Sequence, residues 1–549
     1  MTTTAFTRAL GNESGVQLNP LVDNSEMPAF GNADQAFAII MRATRGRIDK
    51  PFAVDPSNFY KRLGYGETLR ANALNEAWIH VFEALNNGAY TAVVSRLVGP
   101  DAQNNWMTAT LTDVGGEETQ TVNFAVSAQE PVGFNIAVKH LECFNDGITL
   151  SIHADEKREG GVLVANDMVT LVLSDVKGNK LYEFTGSLTL GSQDDYGVSN
   201  FLPDVVESLT SNVEVEVAAG SIIKPGSVAY GFNDAGNASW ATSAVLKYFN
   251  EGTVGNYTTE TYVTAREQLE RTQLQYRYIA SGGTQAPGLL AQLITLAFNT
   301  NRQMRFDVPG HLTPEQAIAF IESINPYGSK ASHLLHAFWT PLKTTDPSGV
   351  NGKSYIGTSG LNIGLACGRN AAKNAKGFAP KNYPIAGRMF PITRSGIVQT
   401  YSPSNPEYSQ LAAAKINPVV YESYETGGLY VFKDSLTCAP VTNSLRKLIA
   451  VAEMSTSVDD AVTGTAKMYL QLPMATAVKR MSDWLKQYLE DAQAAEWLVN
   501  SKDAAMAGGA FKFEVKPNAA RPYDQMDVNY WVHYDGTARQ IFATQTLTK

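Results

Sequence analysis

The sequence predicts a mixed α+β protein of several domains, with α/β core layers, a β-rich insertion and extended β-arms at both ends. Three observations support this. At 549 residues, the chain is longer than one hydrophobic core usually serves. A strand–helix–strand pattern opens the periodic part of the sequence, which is typical of a parallel crossover. Short alternating runs bounded by turn residues then follow over residues 99–216, as expected for antiparallel strands.

The first elements are an arm and an α/β segment. Residues 1–27 are polar and aperiodic, which predicts an extended arm. In the segment 28–98, "AFAIIMR" predicts a buried strand and "AYTAVVSRLV" predicts a second one. The stretch 66–88 between them predicts a helix that ends with Gly88 at its C′ position. Its apolar stripe consists of Leu69, Leu74, Trp78, Val81, Phe82 and Leu85.

The segment 99–216 is predicted to be an acidic, β-rich insertion domain. It holds 19 Asp and Glu residues against 5 Lys and Arg residues, a balance of −14, whereas the whole chain has a net charge of −9. The remainder of the chain is therefore mildly basic. A strongly acidic segment favours a solvent-facing position, so we expect the insertion to point outward.

Helical patterns return in a central α/β domain at 217–430 and in a C-terminal domain at 431–526. Thr313 is the predicted N-cap of a helix with Pro314 at its first position. "PGLLAQLITLAFN" predicts another helix. A long amphipathic pattern runs from about Ala475 to Leu498.

The last segment, 527–549, predicts a β-hairpin arm. Val528, Tyr530, Val532 and Tyr534 alternate with more polar residues, as in a strand. Asp535-Gly536 is a strong hairpin-turn dipeptide, and the run 539–547, with Ile541 and Phe542, returns from it. A lone two-stranded ribbon is marginal in water, so this hairpin needs a partner.

Composition argues against several classes of protein. The most apolar stretch, 289–298, is about half as long as a membrane span requires. The N-terminus lacks the layout of a signal peptide. The sequence contains no basic patch interleaved with aromatic residues, so a nucleic-acid partner is not expected. Cys143, Cys367 and Cys438 form no CxxC pair and are interpreted as free thiols in a reducing compartment.

Local motifs for chemistry are weak, and we predict no catalytic residue, metal or cofactor. "PSGVNGKS" at 347–354 has only two residues between Gly349 and Gly352, whereas a phosphate-binding loop needs four before its Gly-Lys. His333 and His336 could share a helix face, but without a nearby third ligand a structural role is favoured. "GTSGL" at 357–361 lacks the spacing of a nucleophile elbow. The adjacent Asp194 and Asp195 would face opposite sides of a strand.

Several segments, in order, resemble the contractile tail sheath proteins of bacteriophages and related contractile injection systems. They are "AFAIIMRATRGRIDKPFAV", "ALNEAWIHVFEALNNGAYTAVVSRLV", "TSGLNIGLACGRNAAKNAKGFAPKNYPIAG" and "LAAAKINPVVYESYETGGLYVFKDSLT". In the third segment, Gly364, Arg369, Gly377 and Asn382 fall at the positions of family landmarks. Met41 stands where the family often has a glycine.

The resemblance implies a structural subunit rather than an enzyme. Six-fold rings would stack around an inner tail tube, and the lattice would contract to drive that tube through a target envelope. The N- and C-terminal arms would add strands to neighbouring subunits, and baseplate and tail terminator proteins would be further partners. Such a protein is assembled in the host cytoplasm and becomes part of the virion tail, with neither nucleic acid nor membrane insertion. Lys479, Arg480 and Lys486 are candidates for contact with an acidic tube surface.

Two other classes remain open from the sequence. One is a different shell-forming protein, such as a capsid or surface-layer subunit. The other is a soluble α/β enzyme with a β-rich accessory domain.

Overall fold

The computed structural model describes residues 33–545, apart from 66–75, 114–119, 156, 160–161, 225–229, 233–237, 254–256, 351, 426 and 543. The predicted arm at 1–27 and the first part of the predicted helix at 66–88 lie outside these ranges. Helices and several sheets are mixed along the described chain, which confirms the predicted mixed α+β class.

The helices are spread along the whole described chain. They are α1 (Phe59–Leu63), α2 (Ala77–Asn86), α3 (Leu202–Leu209), α4 (Thr259–Arg271), α5 (Pro287–Thr300), α6 (Pro314–Ile324), α7 (Ser359–Ala371), α8 (Asn405–Ala413), α9 (Ile449–Met468) and α10 (Met474–Ala494). The predicted helices at 287, 314 and 475 are all present, and Thr313 caps α6 through a capping box with Gln316. No helix in these ranges has the length and apolar content needed to cross a bilayer.

A central sheet of eight strands unites the beginning and the middle of the chain. Its strands are β1 (Ala36–Met41), β2 (Phe52–Val54), β3 (Thr91–Arg96), β17 (Tyr278–Ala280), β18 (Gln303–Val308), β19 (Leu335–Trp339), β23 (Ile416–Tyr424) and β24 (Gly427–Phe432). Their order is β2-β3-β1-β17-β18-β19-β23-β24. All neighbours are parallel except the edge strands β2 and β24, which run antiparallel.

The central sheet is buried on both faces, as an inner parallel sheet must be. Every residue of β1 is buried, and its side chains alternate between two hydrophobic cores. Phe37 and Ile39 join the core covered by α2 and α7, whereas Ala38 and Ile40 join the core covered by α4, α5, α6 and α8. This explains why the sequence of β1 is continuously apolar rather than alternating.

Close approach of α2 and α7 depends on glycine. A Cβ atom at Gly364 on α7 would lie 2.8 Å from the carbonyl oxygen of Ala84 on α2. Gly88 has the predicted C′ position after α2, with φ of +119°. Glycine is thus required here by packing as well as by backbone conformation.

The insertion folds as two antiparallel sheets around a third core. The strands that follow β3 are β4 (Gln103–Asn104), β5 (Trp106–Asp113), β6 (Gln120–Ser127), β7 (Ile136–His140), β8 (Ile148–Asp155), β9 (Lys157–Glu159), β10 (Val162–Val164), β11 (Met168–Asp175), β12 (Lys180–Ser187), β13 (Val213–Val217), β14 (Tyr230–Phe232), β15 (Ala238–Leu246) and β16 (Phe249–Asn250). One sheet has the order β12-β11-β8-β15-β14 and the other β13-β7-β5-β6, while β9 with β10 and β4 with β16 form small ribbons.

The β-rich region continues past the predicted boundary at residue 216. Strand β15 pairs with β8 from Ser239 to Leu246, and β16 pairs with β4, so the β-rich region reaches Asn250. The pairing joins residues far apart in sequence, which local periodicity cannot reveal.

The C-terminal part forms its own small core beside the central sheet. A three-stranded sheet, β21-β20-β22, precedes it and consists of β20 (Leu342–Thr345), β21 (Lys353–Tyr355) and β22 (Val398–Gln399). Helices α9 and α10 then pack against a two-stranded ribbon of β25 (Phe511–Pro517) and β26 (Met526–Val532). We call α9, α10 and this ribbon the C-terminal unit.

Candidate assembly surface

The ribbon of the C-terminal unit differs from the predicted hairpin. The sequence predicts that the strand around Val528 turns at Asp535-Gly536 and pairs with residues 539–547. The strand instead pairs with the preceding β25, and the described residues among 539–545 are in no strand. That hairpin prediction is therefore wrong. The preceding strand prevails because its apolar face also packs on α9 and α10.

The ribbon has one apolar and one polar face. Phe513 lies opposite Tyr530 and Val515 lies opposite Val528, and all four side chains pack against the helices. The hydroxyl of Tyr530 also donates to Asp459 Oδ1 on α9 at 2.5 Å. The opposite face is charged and exposed, apart from Trp531, whose ring lies 5.4 Å from the ammonium of Lys512.

Both outer edges of the ribbon are open in the described chain, where β25 and β26 have only each other as strand neighbours. His533 donates its N–H to the carbonyl of Ala510, which marks that pair as hydrogen-bonded. Because such pairs alternate along antiparallel strands, the backbone groups of Val528, Tyr530 and Val532 point to the outer edge. Pro517, the last residue of β25, lies on the outer edge of that strand and has no N–H to offer there, as is common in an edge strand.

The predicted arm residues thus fall into two groups. Val528, Tyr530 and Val532 belong to the ribbon, and Tyr534 is buried within the same core. Ile541 and Phe542 are 86% and 90% exposed. These two residues lie in the segment 535–542, which we call the tail. The tail therefore presents two adjacent large apolar side chains to solvent.

The three candidates for tube contact lie on α10. Lys479, Arg480 and Lys486 are all exposed, while Met481, Leu485 and Leu489 of the same helix are buried against α9 and the ribbon. The exposed face also carries Asp483 and Glu490, so its charge is mixed rather than uniformly basic.

A buried charge cluster joins the C-terminal unit to the central sheet. Glu453 of α9 accepts from Arg305 Nη2 and from Arg369 Nη2, each at 2.6 Å. Burial opposes ionisation of Glu453, but the two guanidinium groups outweigh it and hold its pKa below the usual value. Arg369 stands at a family landmark in the sequence, whereas no sequence motif pointed to Arg305 or Glu453. Charged residues inside otherwise apolar elements are the signal that could have found them.

Asp34, at the first described turn, anchors the beginning of the chain to the same junction. Its Oδ1 lies 2.6 Å from Lys381 Nζ and 3.1 Å from Arg277 Nε. Lys381 also donates to Ser457 of α9 at 2.7 Å. Burial raises the pKa of Asp34, but the cations outweigh it and lower that pKa well below its usual range, whereas burial lowers the pKa of Lys381 to about 8.

Ser359, His80 and Asp307 meet in a constellation that resembles a catalytic triad. Ser359 and His80 are inaccessible to solvent. Ser359 donates its hydroxyl to Asp307, and Asp307 also accepts the N–H groups of Thr358 and Ser359. His80 Nδ1 accepts the N–H of Gly360 at 3.0 Å, so that nitrogen is not available as a base. The group stabilises the N-terminus of α7 and presents no nucleophile.

The other motifs also occupy structural positions. His336 is buried on β19, whereas His333 lies in a short 3₁₀ turn beside Arg446, so they share no helix. Burial lowers the pKa of His336 to about 3. The described residues contain no group of three or more His, Cys, Asp or Glu side chains placed to hold a metal ion. The three cysteines are free thiols, as predicted. All three are buried, and burial raises the pKa of each thiol to about 12.

Comparisons with known proteins give structural matches alone. No family model and no curated protein matches the sequence. The structure is similar to a chain of the anti-feeding prophage baseplate, with a TM-score of 0.41, 12% identity and coverage of 55% of this chain and 76% of that one. It is also similar to a chain of an extracellular contractile injection system, the PVC sheath complex in its contracted state. That match has a TM-score of 0.41, 13% identity and coverage of 52% of this chain and 75% of that one.

Proposed function

We propose that the protein is the structural subunit of a contractile tail sheath. The observation that carries this proposal is that one chain has both an unpaired strand edge and an exposed segment that could pair with such an edge. The ribbon has open strand edges in the described chain, and the tail carries an exposed Ile-Phe pair. The tail of one copy would add to the ribbon of the next. Exposed edges are normally avoided because they promote association, so here the association serves the function.

Strand addition suits a contracting lattice. Main-chain hydrogen bonds link subunits without fixing how their bodies pack, so the bodies can rotate while the links persist. Six-fold rings would stack around an inner tail tube and repack into a wider, shorter, lower-energy lattice. Bistable packing at interfaces supplies such transitions in other assemblies. No nucleotide is needed if the energy is stored when the lattice assembles.

Other contacts follow from the same proposal. Residues 1–27 would act as the second linking arm, and Asp34 would transmit tension from it to Lys381 and α9. The acidic insertion would point outward, and Lys479, Arg480 and Lys486 would face the tube. Baseplate and terminator proteins would cap the two ends of the sheath, which would assemble in the host cytoplasm and become part of the virion.

Negative-stain electron microscopy of the concentrated protein tests this proposal, alone and with its tube protein. The C-terminal deletion should remove 536–549 and not 527–549, because Met526–Val532 is part of the ribbon. A second deletion removes 1–27. Hollow tubes from the full chain that neither deletion forms would support the sheath. Closed shells would favour a capsid-like protein, and a monomer even with the tube would refute the proposal.

A further inference from the structure

The tail takes a path that its own sequence does not favour. Asp535-Gly536 and the alternating residues after it are typical of a two-residue hairpin. Such a hairpin would place Arg539 opposite Val532 and Ile541 opposite Tyr530, on the open outer edge of β26. In the described part of the chain that edge has no strand neighbour, and residues 535–542 belong to no strand. Some contact must therefore hold the tail away from its own ribbon.

The contact is an ion pair at Arg539. Its Nε donates to Asp434 Oδ1 at 2.7 Å, and its Nη2 contacts the second carboxylate oxygen, Oδ2. This two-point geometry fixes direction as well as distance. Asp434 follows β24 and accepts the N–H of Ser435 at 2.8 Å, so the acceptor is itself held in place.

The position of Asp434 decides where the tail goes. A hairpin would return Arg539 along β26 to the position opposite Val532, whereas the structure places its guanidinium on Asp434, just beyond β24. Beyond Arg539, Ile541 and Phe542 are exposed. The chain thus keeps the tail, with its exposed Ile-Phe pair, away from the open edge of β26 in the same molecule.

We propose that the Arg539–Asp434 ion pair prevents the tail from folding back on its own β26 and reserves both for a second copy of this chain. Pairing between copies rests on the proposed function, whereas the ion pair and the open edge of β26 do not depend on it. Without the ion pair, the local hairpin closes the edge and competes with pairing between copies. The ion pair would favour pairing with another copy by disfavouring pairing within one copy, without adding to the affinity between copies.

A disulfide trap measures the self-paired hairpin directly. In that hairpin Trp531 lies opposite Gln540, so the double variant W531C/Q540C can form a bridge only when the tail folds back. Dilute monomer is oxidised mildly, and the bridged peptide is quantified by mass spectrometry. Mixing with isotopically labelled protein separates bridges within one copy from bridges between copies. The native cysteines are buried and do not compete.

Adding R539Q to the trap should raise the bridged fraction about fivefold, the effect of losing one partly exposed ion pair. D434N should act in the same way, and the charge exchange R539D/D434R should return the fraction to its starting value. R521Q is the control, since it removes another two-point Arg–Asp ion pair, the more exposed pair with Asp524 in the turn of the same ribbon. An unchanged fraction in R539Q, or an equal rise in R521Q, would overturn the proposal.

The disulfide trap tests this proposal independently of the proposed function, because the bridged fraction is measured on monomers. If the unmodified protein forms tubes and R539Q raises the bridged fraction, R539Q should also slow tube formation. If no variant forms tubes but the bridged fraction still rises, the sheath proposal fails and the role of the ion pair stands.

Discussion

Arg305 and Glu453 form an ion pair of 2.6 Å from which solvent is almost wholly excluded. Arg305 belongs to the central sheet and Glu453 to α9, so the pair lies where the C-terminal unit meets the central sheet. Glu453 also binds Arg369, and Arg305 Nη1 donates to the carbonyl of Asn362 at 2.7 Å. A buried charge that loses its partner is costly, so this junction resists separation and sliding.

The first prediction concerns Glu453→Gln. The change leaves two buried guanidinium groups without a full counter-charge, so the free energy of unfolding should fall by about 3–5 kcal/mol. Urea denaturation followed by tryptophan fluorescence measures it. Glu490→Gln, on the exposed face of α10, should change stability by less than about 0.5 kcal/mol. A loss below about 1 kcal/mol for Glu453→Gln would show that the junction is not held by charge.

The second prediction concerns pH. Burial lowers the pKa of His336 to about 3, so between pH 3 and about 6.5 the unfolded chain binds a proton that the folded chain does not. The contribution of neutral His336 to the free energy of unfolding is therefore complete above about pH 6.5. It is lost as the pH falls, at up to about 1.4 kcal/mol per pH unit. His336→Leu should reduce the slope of stability against pH between 4.5 and 6.5. Equal slopes for the two proteins would contradict this.

The third prediction tests the packing of α2 on α7. Gly364→Ala would place a methyl group 2.8 Å from a carbonyl oxygen, and the clash should cost about 1–3 kcal/mol. Gly464→Ala on α9 is the matched control, because a Cβ there meets no atom within 4 Å. It should stabilise the protein by up to about 1 kcal/mol through helix propensity. Thermal unfolding of both variants measures the contrast, and shifts of the same sign would refute the packing argument.

The fourth prediction separates folding from assembly. The double change Ile541→Ser and Phe542→Ser alters two exposed side chains, so the melting temperature of the monomer should not move. Tube formation should be lost, because the apolar contacts of the tail with a second copy are removed. Tyr523→Ser, at a position 94% exposed in the turn of the ribbon, should leave assembly intact. Tubes from the double variant would show that the tail is not a link.

The fifth prediction addresses the tube. Reversing the charge of Lys479, Arg480 and Lys486 to Glu should weaken assembly on the tube while leaving the monomer folded, because these side chains are exposed. Raising the salt concentration should also weaken assembly of the unmodified protein on the tube. Unchanged tube-templated assembly of the triple variant would remove these residues from the interface.

Local signals in the sequence predicted much of the fold. The apolar run of β1, the capping box at Thr313 and the amphipathic α10 each depend on residues within a few positions. The mixed α+β class followed from them. The extent of the β-rich region did not, because β15 pairs with β8, which lies more than 80 residues earlier in the chain.

The assembly surface was predicted less well, for a physical reason. Asp535-Gly536 favours a hairpin locally, but the strand around Val528 gains more by pairing with β25 and burying its apolar face on α9 and α10. Asp434 then holds Arg539 from a distant part of the sequence. The exposure of Ile541 and Phe542 follows from these tertiary contacts, and a sequence pattern cannot show them.

Amide hydrogen exchange along β26 tests the central claim most directly. The N–H groups of Val528, Tyr530 and Val532 point to the open edge, so they should exchange rapidly in the monomer. In assembled protein the tail of another copy should cover that edge and slow their exchange by at least tenfold, while Asn529 and Trp531, already bonded to β25, should change little. Rapid exchange of the first three amides in fully assembled tubes would contradict strand addition at this edge.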